Sequence, residues 1–187
     1  MILNLIFAVN IMILGIDLDG TLAKSLEDIL TAKQKEKFRK LYNWVRIHQP
    51  KSLQGKIMTF ILSHYFNYKW KNWKSIKLAD NNIPSILANL IKTHDINIIT
   101  SSYGKEEYIK NWLAKNNISY TNLIFASPIE KWKYCDVLID DRFDVIMAAV
   151  LNGKIGILYT KSNYKLNYKN YYIAKTWNEI NNIIKNF

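Results

Sequence analysis

A short apolar run that ends in two closely spaced acids constrains the fold of this chain more than any other feature. Residues 13–16, Ile-Leu-Gly-Ile, are typical of a strand buried in a parallel sheet. Asp17 and Asp19 follow directly, separated by Leu18, and Gly20 then permits a sharp turn. Because side chains alternate along a strand, both carboxylates point to one side, at the carboxyl end where open α/β sheets bind ligands.

Two acids crowded at one strand end repel each other unless a cation or a shared proton relieves the repulsion. Mg²⁺ would relieve it, because this hard ion prefers oxygen ligands. A solvated acidic turn is the simpler interpretation of residues 17–21 taken alone. Their position directly after a purely apolar strand favours a chemical role.

The size and composition of the chain suit one domain with a small insertion. It has 187 residues, of which 49% are hydrophobic, enough for a sizeable core. Its single cysteine, Cys135, excludes an internal disulfide framework and fits a reducing compartment, so a cytoplasmic location is predicted. Cys135 itself is expected to be a small buried residue.

The formal net charge of +11 is the unusual number in the composition. Such a charge can indicate a nucleic-acid partner or attraction to phosphorylated substrates. A compositional origin is the simpler explanation, because Lys, Asn, Ile and Tyr are abundant throughout the chain.

The apolar residues 1–11 imitate a signal sequence, but no basic region opens them and no small-residue cleavage site follows. The run that ends at Ile16 is also shorter than the ~20 residues of a membrane span. We therefore predict no membrane segment. Met12 immediately precedes the strand, so residues 1–11 can be an extension upstream of a functional start.

Helical and strand patterns alternate along most of the chain. Between residues 24 and 80 two helical stretches and a tract rich in Trp and Lys predict a small helical insertion after the first strand. Further strands are predicted at 96–102, 123–126, 136–139 and 155–159, with helices between them and a closing helix at 177–184. This alternation predicts an α/β fold whose Rossmann-like parallel sheet is built from residues 12–23 and 81–187.

Three of the predicted strands end in polar side chains, which are Asp17 and Asp19, Thr100 and Ser101, and Asp140 and Asp141. In a parallel sheet these ends meet at one edge, and their convergence predicts a site. Adjacent acids after an apolar strand are costly without a cation. The hydroxyls of Thr100 and Ser101 can donate to an anion. A helix N-cap is the alternative, although Ser102 could fill that role alone.

The sequence Asp-Leu-Asp-Gly-Thr at residues 17–21 resembles the first motif of the haloacid dehalogenase (HAD) superfamily. The resemblance implies that Asp17 is a nucleophile and that Asp19 is the general acid and base of the phosphatase branch. It also implies that Thr100, supported by Ser101, holds the transferring phosphoryl group.

The same resemblance implies a Mg²⁺ site made of Asp17, the carbonyl of Asp19 and one acid of the later pair. Asp141 is preferred as the direct ligand, and Asp140 as a ligand acting through water. Asp140 and Asp141 are followed by Arg142, which with Asp144 is expected to fix the loop.

A lysine is expected beside the phosphoryl group, where it neutralises the nucleophile and the developing charge. Lys131 and Lys133 both precede the fourth strand. In relatives this lysine stands about one helical turn before the strand, which fits Lys131 better and leaves Lys133 open.

Four features together resemble the 5′(3′)-deoxyribonucleotidase (cytosolic type C 5′-nucleotidase) group. They are Asp-Val-Leu-Ile-Asp-Asp-Arg at 136–142, the hydroxyls after Ile98-Ile99, the short insertion and the closing Trp177-Asn178-Glu179-Ile180. In that group the insertion is a cap that supplies aromatic residues against the base. Trp44 is the best placed aromatic here, ahead of Trp70 and Trp73, and packing within the cap is the alternative for each. The chain departs from the group in having Phe143 where Arg-Pro is common, and in its strong positive charge.

The leading hypothesis is a Mg²⁺-dependent phosphomonoesterase that acts on (deoxy)nucleoside monophosphates through an aspartyl-phosphate, with no membrane partner. One alternative is a phosphatase of nucleic-acid ends on the same fold, suggested by the charge and by the Trp/Lys tract at 68–77. Another is a non-catalytic module that binds nucleic acid or protein.

Overall fold

The computed structural model describes residues 11–25, 36–37, 40, 67–162 and 166–187. Six parallel strands form one sheet in the order β3-β2-β1-β4-β5-β6. They are β1 (Ile13–Asp17), β2 (Asp95–Thr100), β3 (Asn122–Phe125), β4 (Val137–Asp140), β5 (Ile155–Tyr159) and β6 (Tyr171–Ala174). The predicted α/β fold with a parallel sheet is therefore confirmed.

In the described part of the chain, α1 (Ile83–Leu90) precedes β2, α2 (Glu106–Lys115) connects β2 to β3, and α3 (Phe143–Leu151) connects β4 to β5. The helix α4 (Trp177–Ile184) follows β6, and two short 3₁₀ helices span Trp73–Ser75 and Pro128–Tyr134. The strand at Tyr171–Ala174 was not expected from the sequence. No helix in the described part of the chain is long and apolar enough to cross a membrane.

The strand order places β1 at the point where the direction of winding reverses. The chain runs outward from β1 through β2 to β3, and then returns to the other side of β1 with β4. In sheets of this kind a crevice opens outside the carboxyl ends of the two strands at the reversal. Here those ends are Asp17 of β1 and Asp140 of β4.

The centre of β1 depends on a close approach of the segment before β4. A Cβ atom added at Gly15 would lie 2.7 Å from the Sγ atom of Cys135 and 2.8 Å from a methyl group of Ile99. Cys135 is buried, as expected, and burial raises the pKa of its thiol to about 12. The thiol is therefore protonated at neutral pH and acts as a small packing group.

The chain leaves the sheet after β1 and returns beside the point where it left. The Lys24 amide donates to the Lys77 carbonyl at 2.9 Å, and the Ala79 amide donates to the Leu22 carbonyl at 2.8 Å. The stems of the predicted insertion at 24–80 thus lie side by side. Most of that insertion falls outside the described residues, so its helical cap stays a prediction. On the returning side, residues 67–71 are helical.

Candidate active site

One buried lysine joins the ends of β1 and β4. Asp17 and Asp140 are the last residues of these strands, and both are buried. Lys131, on the Pro128–Tyr134 helix, is also buried, and its Nζ donates to Asp17 Oδ1 and, at 2.7 Å, to Asp140 Oδ2. Lys133 instead pairs with Glu130 on the exposed side of the same helix, at 2.6 Å. Of the two lysines left open by the sequence, Lys131 is the one that reaches the acids.

The negative charge around Lys131 exceeds what one ammonium group can balance. Carboxylate oxygens of Asp17, Asp140 and Asp141 all lie within 4.8 Å of one another. Burial raises the pKa of Asp17 well above its usual value; Lys131 opposes this shift, and Asp140 adds to it. Burial and the neighbouring Asp140 raise the pKa of Asp141 to about 7. Burial alone would lower the pKa of Lys131, but Asp17 and Asp140 outweigh it and the pKa is raised.

This donor set fits Mg²⁺. All the ligand atoms are carboxylate oxygens, which a hard divalent cation prefers, and Lys131 pairs with only two of the three crowded acids. Asp140 has both oxygens engaged, by Lys131 and by the Arg142 amide at 2.9 Å. No donor among the described residues reaches the carboxylate of Asp141, so this carboxylate is free to be a direct ligand.

Gly20 makes room for Asp141. A Cβ atom at Gly20 would lie 2.1 Å from Asp141 Oδ2, and the φ of +101° at this residue is one that other residues rarely adopt. The glycine of the first motif therefore allows the acid after β4 to lie against the loop after β1. After Asp141, Arg142 donates two hydrogen bonds to Asp144, at 3.2 and 2.6 Å, and these fix the loop after β4.

Asp19 is held by a different pair of side chains. Its Oδ1 accepts a hydrogen bond from Lys69 Nζ at 2.5 Å, and its Oδ2 accepts one from Ser102 Oγ at 2.9 Å. Sequence reasoning missed both contacts. Ser102 does not cap α2, whose N-cap is Lys105 without a side-chain hydrogen bond.

The hydroxyls after β2 lie in two environments. Thr100 is buried, and its Oγ1 accepts a hydrogen bond from the Ser102 amide at 3.1 Å, whereas Ser101 is exposed. Neither hydroxyl is recorded in contact with an acid of the site. A third hydroxyl, Thr21 Oγ1, donates to Asp17 Oδ2 at 3.3 Å.

The three tryptophans considered for base contact have different positions. Trp44 lies outside the described residues. Trp70 is completely buried and packs edge-on against Trp112, with ring centroids 6.1 Å apart, so it is not available to stack on a ligand. Trp73 is partly exposed. The burial of Lys69 and Trp70 withdraws these two side chains from the surface of the Trp/Lys tract, whereas Lys71 and Lys74 of the same tract are exposed.

Comparison of the sequence with protein-family models and with curated proteins finds no match. Comparison of the fold with solved structures does find similar chains. The YfnB protein of Bacillus subtilis, described as a HAD hydrolase bound to magnesium, superposes with a TM-score of 0.67 at 12% identity over 92% of this chain and 98% of its own. SP0104 of Streptococcus pneumoniae, a haloacid dehalogenase-like hydrolase, gives 0.63 at 18% identity over 93% and 98%.

A HAD phosphatase from Thermococcus onnurineus gives a TM-score of 0.58 at 14% identity, over 91% of this chain and 96% of its own. At such identities the similarity concerns the fold. The chain has the HAD-like fold, with an acidic cluster at the topological reversal of its sheet.

Proposed function

We propose that this chain is a Mg²⁺-dependent phosphomonoesterase. The observation that carries the proposal is the arrangement at the end of β1. Asp17 pairs with Lys131 and lies beside Asp140 and Asp141. Asp19, two residues later, accepts hydrogen bonds from a different pair of side chains. The HAD-like fold, the magnesium bound to YfnB and the phosphatase description of the Thermococcus onnurineus protein support the same chemistry.

In the first step, a carboxylate oxygen of Asp17 attacks phosphorus in line with the ester oxygen. The bond between phosphorus and the Asp17 oxygen forms while the bond to the ester oxygen breaks. The departing oxygen takes a proton from the carboxylic acid of Asp19 and leaves as an alcohol. Asp17 is then an aspartyl-phosphate, and Asp19 is a carboxylate.

In the second step, water attacks the phosphorus of the aspartyl-phosphate and gives a proton to Asp19. The bond to the Asp17 oxygen breaks, so inorganic phosphate leaves and both aspartates return to their starting forms. Lys131 balances charge on Asp17 and on the phosphoryl oxygens. Asp17, Asp141 and the carbonyl of Asp19, with Asp140 acting through water, would hold Mg²⁺, which would supply positive charge that favours the ionised nucleophile and the developing oxyanions. The Thr100 hydroxyl is assigned to the phosphoryl group, with Ser101 in support.

The substrate class proposed is deoxynucleoside monophosphates. The support comes from the motif resemblance at residues 136–142 and 177–180 and from the net charge of +11, which attracts phosphorylated compounds. The closing Trp177 is tied to the first motif, because its Nε1 donates to the Thr21 carbonyl at 3.1 Å. Trp44 is assigned as the aromatic contact of the base.

The test is a panel of phosphomonoesters, assayed with Mg²⁺ and with EDTA. The panel contains deoxynucleoside 5′- and 3′-monophosphates, sugar phosphates, p-nitrophenyl phosphate and an oligonucleotide with a terminal phosphate. Magnesium-dependent release of phosphate, lost in Asp17→Asn, is expected, with mononucleotides preferred. The absence of any such hydrolysis in the folded protein would overturn the proposal.

The base contact is tested separately with Trp44→Ala. Loss of stacking is expected to lower kcat/KM for nucleotides by the equivalent of about 1–3 kcal/mol in transition-state binding. Hydrolysis of p-nitrophenyl phosphate should be nearly unaffected, because it offers little to stack. Trp73→Ala tests the other aromatic candidate in the same region, and a loss on nucleotides in this variant instead of Trp44→Ala would assign the base contact to Trp73. Preference for the oligonucleotide, with a steep dependence on salt, would instead support the phosphatase of nucleic-acid ends.

A further inference from the structure

Lys69 is a second buried lysine near the site, and the proposed reaction gives it no role. The side chain of Lys69 has no exposed surface, while the Asp19 side chain that it contacts is 18% exposed. A buried ammonium group is costly unless it is paired and hydrogen-bonded. The pairing of Lys69 with Asp19 is therefore a specific feature of the fold, in contrast to the exposed Lys71 two residues later.

Two separate segments hold the two oxygens of Asp19. Lys69 reaches Oδ1 from the helical residues 67–71, on the returning stem of the insertion, and Ser102 reaches Oδ2 from the loop after β2. Asp19 itself lies beyond the end of β1, where the strand no longer fixes its direction. These two donors therefore define the orientation of the Asp19 carboxylate.

Aromatic packing supports the lysine side of this arrangement. Lys69 Nζ lies 5.3 Å from the centroid of the Trp70 ring, within the range of a cation–π contact. Trp70 packs edge-on against Trp112, whose Nε1 donates to the Ile76 carbonyl at 2.9 Å. The ammonium group thus rests on a buried ring that is itself fixed against α2.

We propose that Lys69 and Ser102 are positioning residues that aim the Asp19 carboxyl group at the leaving oxygen of the substrate. The inference rests on the proposed function, since it concerns the proton transfer made by Asp19. A general acid must lie within hydrogen-bonding distance of the oxygen that it protonates. Small errors in the placement of a reacting group are costly in rate. Lys69 contributes this placement from the stem of the insertion, so the stem forms part of the acid–base apparatus.

The test compares a substrate that needs protonation of its leaving group with one that needs little. The leaving group of an alkyl phosphate is a strongly basic alkoxide unless Asp19 protonates it. The leaving group of 2,4-dinitrophenyl phosphate is a stable phenolate. Since kcat/KM reports the first phosphoryl transfer, it isolates this step from the later attack of water. Lys69→Met is expected to lower kcat/KM for the alkyl ester by roughly 10²-fold, at the lower end of the contribution of general acid catalysis. The aryl ester should be affected much less.

Lys71→Met is the matched control. It removes the same charge from the same helical segment but at an exposed position, and both substrates should be hydrolysed as by the wild type. Asp19→Asn should show the same dependence on leaving group as Lys69→Met. Combining Lys69→Met with Asp19→Asn should add little further loss, because both act on one proton transfer.

Equal loss on both esters after Lys69→Met, or no difference from Lys71→Met, would overturn the inference. If a urea titration shows that Lys69→Met is not folded in the absence of urea, Ser102→Ala provides a second variant, which leaves the buried lysine in place. It should show a smaller loss with the same dependence on leaving group, and equal loss on both esters would again count against the inference. Failure of the proposed function would look different. In that case the wild-type protein itself would show no hydrolysis that Asp17→Asn abolishes.

Discussion

The two aspartates of the first motif lie two residues apart, yet their carboxyl groups have different partners. After their roles in the proposed reaction, we use "phosphoryl end" for Asp17, Asp140 and Asp141 with Lys131, and "proton-transfer end" for Asp19 with Lys69 and Ser102. At the phosphoryl end one ammonium group pairs with two of three clustered carboxylates. At the proton-transfer end one carboxylate has an ammonium group and a hydroxyl to itself.

This difference shows which end is electrostatically incomplete. Like charges brought together under burial raise one another's pKa, and at the phosphoryl end the pKa values of Asp17 and Asp141 are raised, by burial first and by neighbouring acids next. A divalent cation would complete that end. The proton-transfer end is completed by groups of the chain itself, so it should respond to substitution of those groups and not to the metal.

The largest expected effect is the loss of all hydrolysis in Asp17→Asn. The substitution keeps the shape of the side chain but removes the proposed nucleophile, so phosphate release should fall to background for every phosphomonoester, whatever its leaving group. Asp19→Asn should instead retain measurable hydrolysis of esters with good leaving groups. Steady-state assays on the alkyl and aryl esters measure both, with circular dichroism to confirm folding. Rates near those of the wild type in Asp17→Asn would remove the assignment of the nucleophile.

The next effect concerns stability. Lys131→Met leaves buried acids without their cation, and breaking a buried ion pair in this way is expected to cost about 3–5 kcal/mol in the free energy of unfolding. Lys69→Met should cost less, because Asp19 keeps the Ser102 hydroxyl and some contact with water. Urea denaturation in EDTA measures both. Lys133→Met, which removes an exposed lysine from the same short helix as Lys131, is the control and should leave the midpoint unchanged.

Equal losses for Lys131→Met and Lys69→Met would contradict the distinction between the two ends. A double variant provides a further check. If Lys131 owes its effect to Asp140, then Asp140→Asn should reduce the loss caused by Lys131→Met, because fewer buried charges are left unpaired.

Magnesium should stabilise the folded protein through the phosphoryl end. At a free concentration of 100 times the dissociation constant, a ligand that binds only the folded state adds about 2.7 kcal/mol to the free energy of unfolding. Asp141→Asn removes the carboxylate that is free to bind the ion, so this variant should lose most of the shift. In EDTA it should be at least as stable as the wild type, because one of three crowded charges is gone. Thermal melts with Mg²⁺ and with EDTA measure this, and Lys69→Met, at the other end, should keep the magnesium shift.

The phosphoryl end could be predicted from the sequence because its parts stand at the ends of regular elements. Asp17 and Asp140 each follow an apolar run, so the alternation of strands and helices brings them to one edge of the sheet. The motif resemblance, which implies a lysine about one helical turn before β4, favoured Lys131 over Lys133. The edge strand at Tyr171–Ala174 was missed because its two tyrosines continue the polar, tyrosine-containing stretch at 160–170 and do not stand out as an apolar run.

The proton-transfer end could not be predicted in the same way. Lys69 and Ser102 are 50 and 83 residues from Asp19 in the chain, and no periodicity relates them to it. Lys69 also stands in a tract of Lys and Trp that is typical of an exposed basic surface, while the structure buries Lys69 and Trp70 together. The sequence signal was indirect: Ser102 extends a row of hydroxyls beyond Thr100 and Ser101, the two that the motif resemblance assigns to the phosphoryl group.

The smallest expected effect concerns the contact between the two loops of the phosphoryl end. Gly20→Ala places a Cβ atom on the Asp141 carboxylate, whereas Gly153→Ala places one in open space, although both glycines have positive φ. Each substitution should cost about 1–2 kcal/mol of stability for the backbone conformation alone. Only Gly20→Ala should also weaken the stabilisation by Mg²⁺, because Asp141 must move away from its place beside Asp17. Thermal melts across a magnesium titration measure this difference. An unchanged magnesium midpoint in Gly20→Ala would show that metal binding does not depend on the observed position of Asp141. The phosphoryl end would then consist of Asp17, Asp140 and Lys131 only.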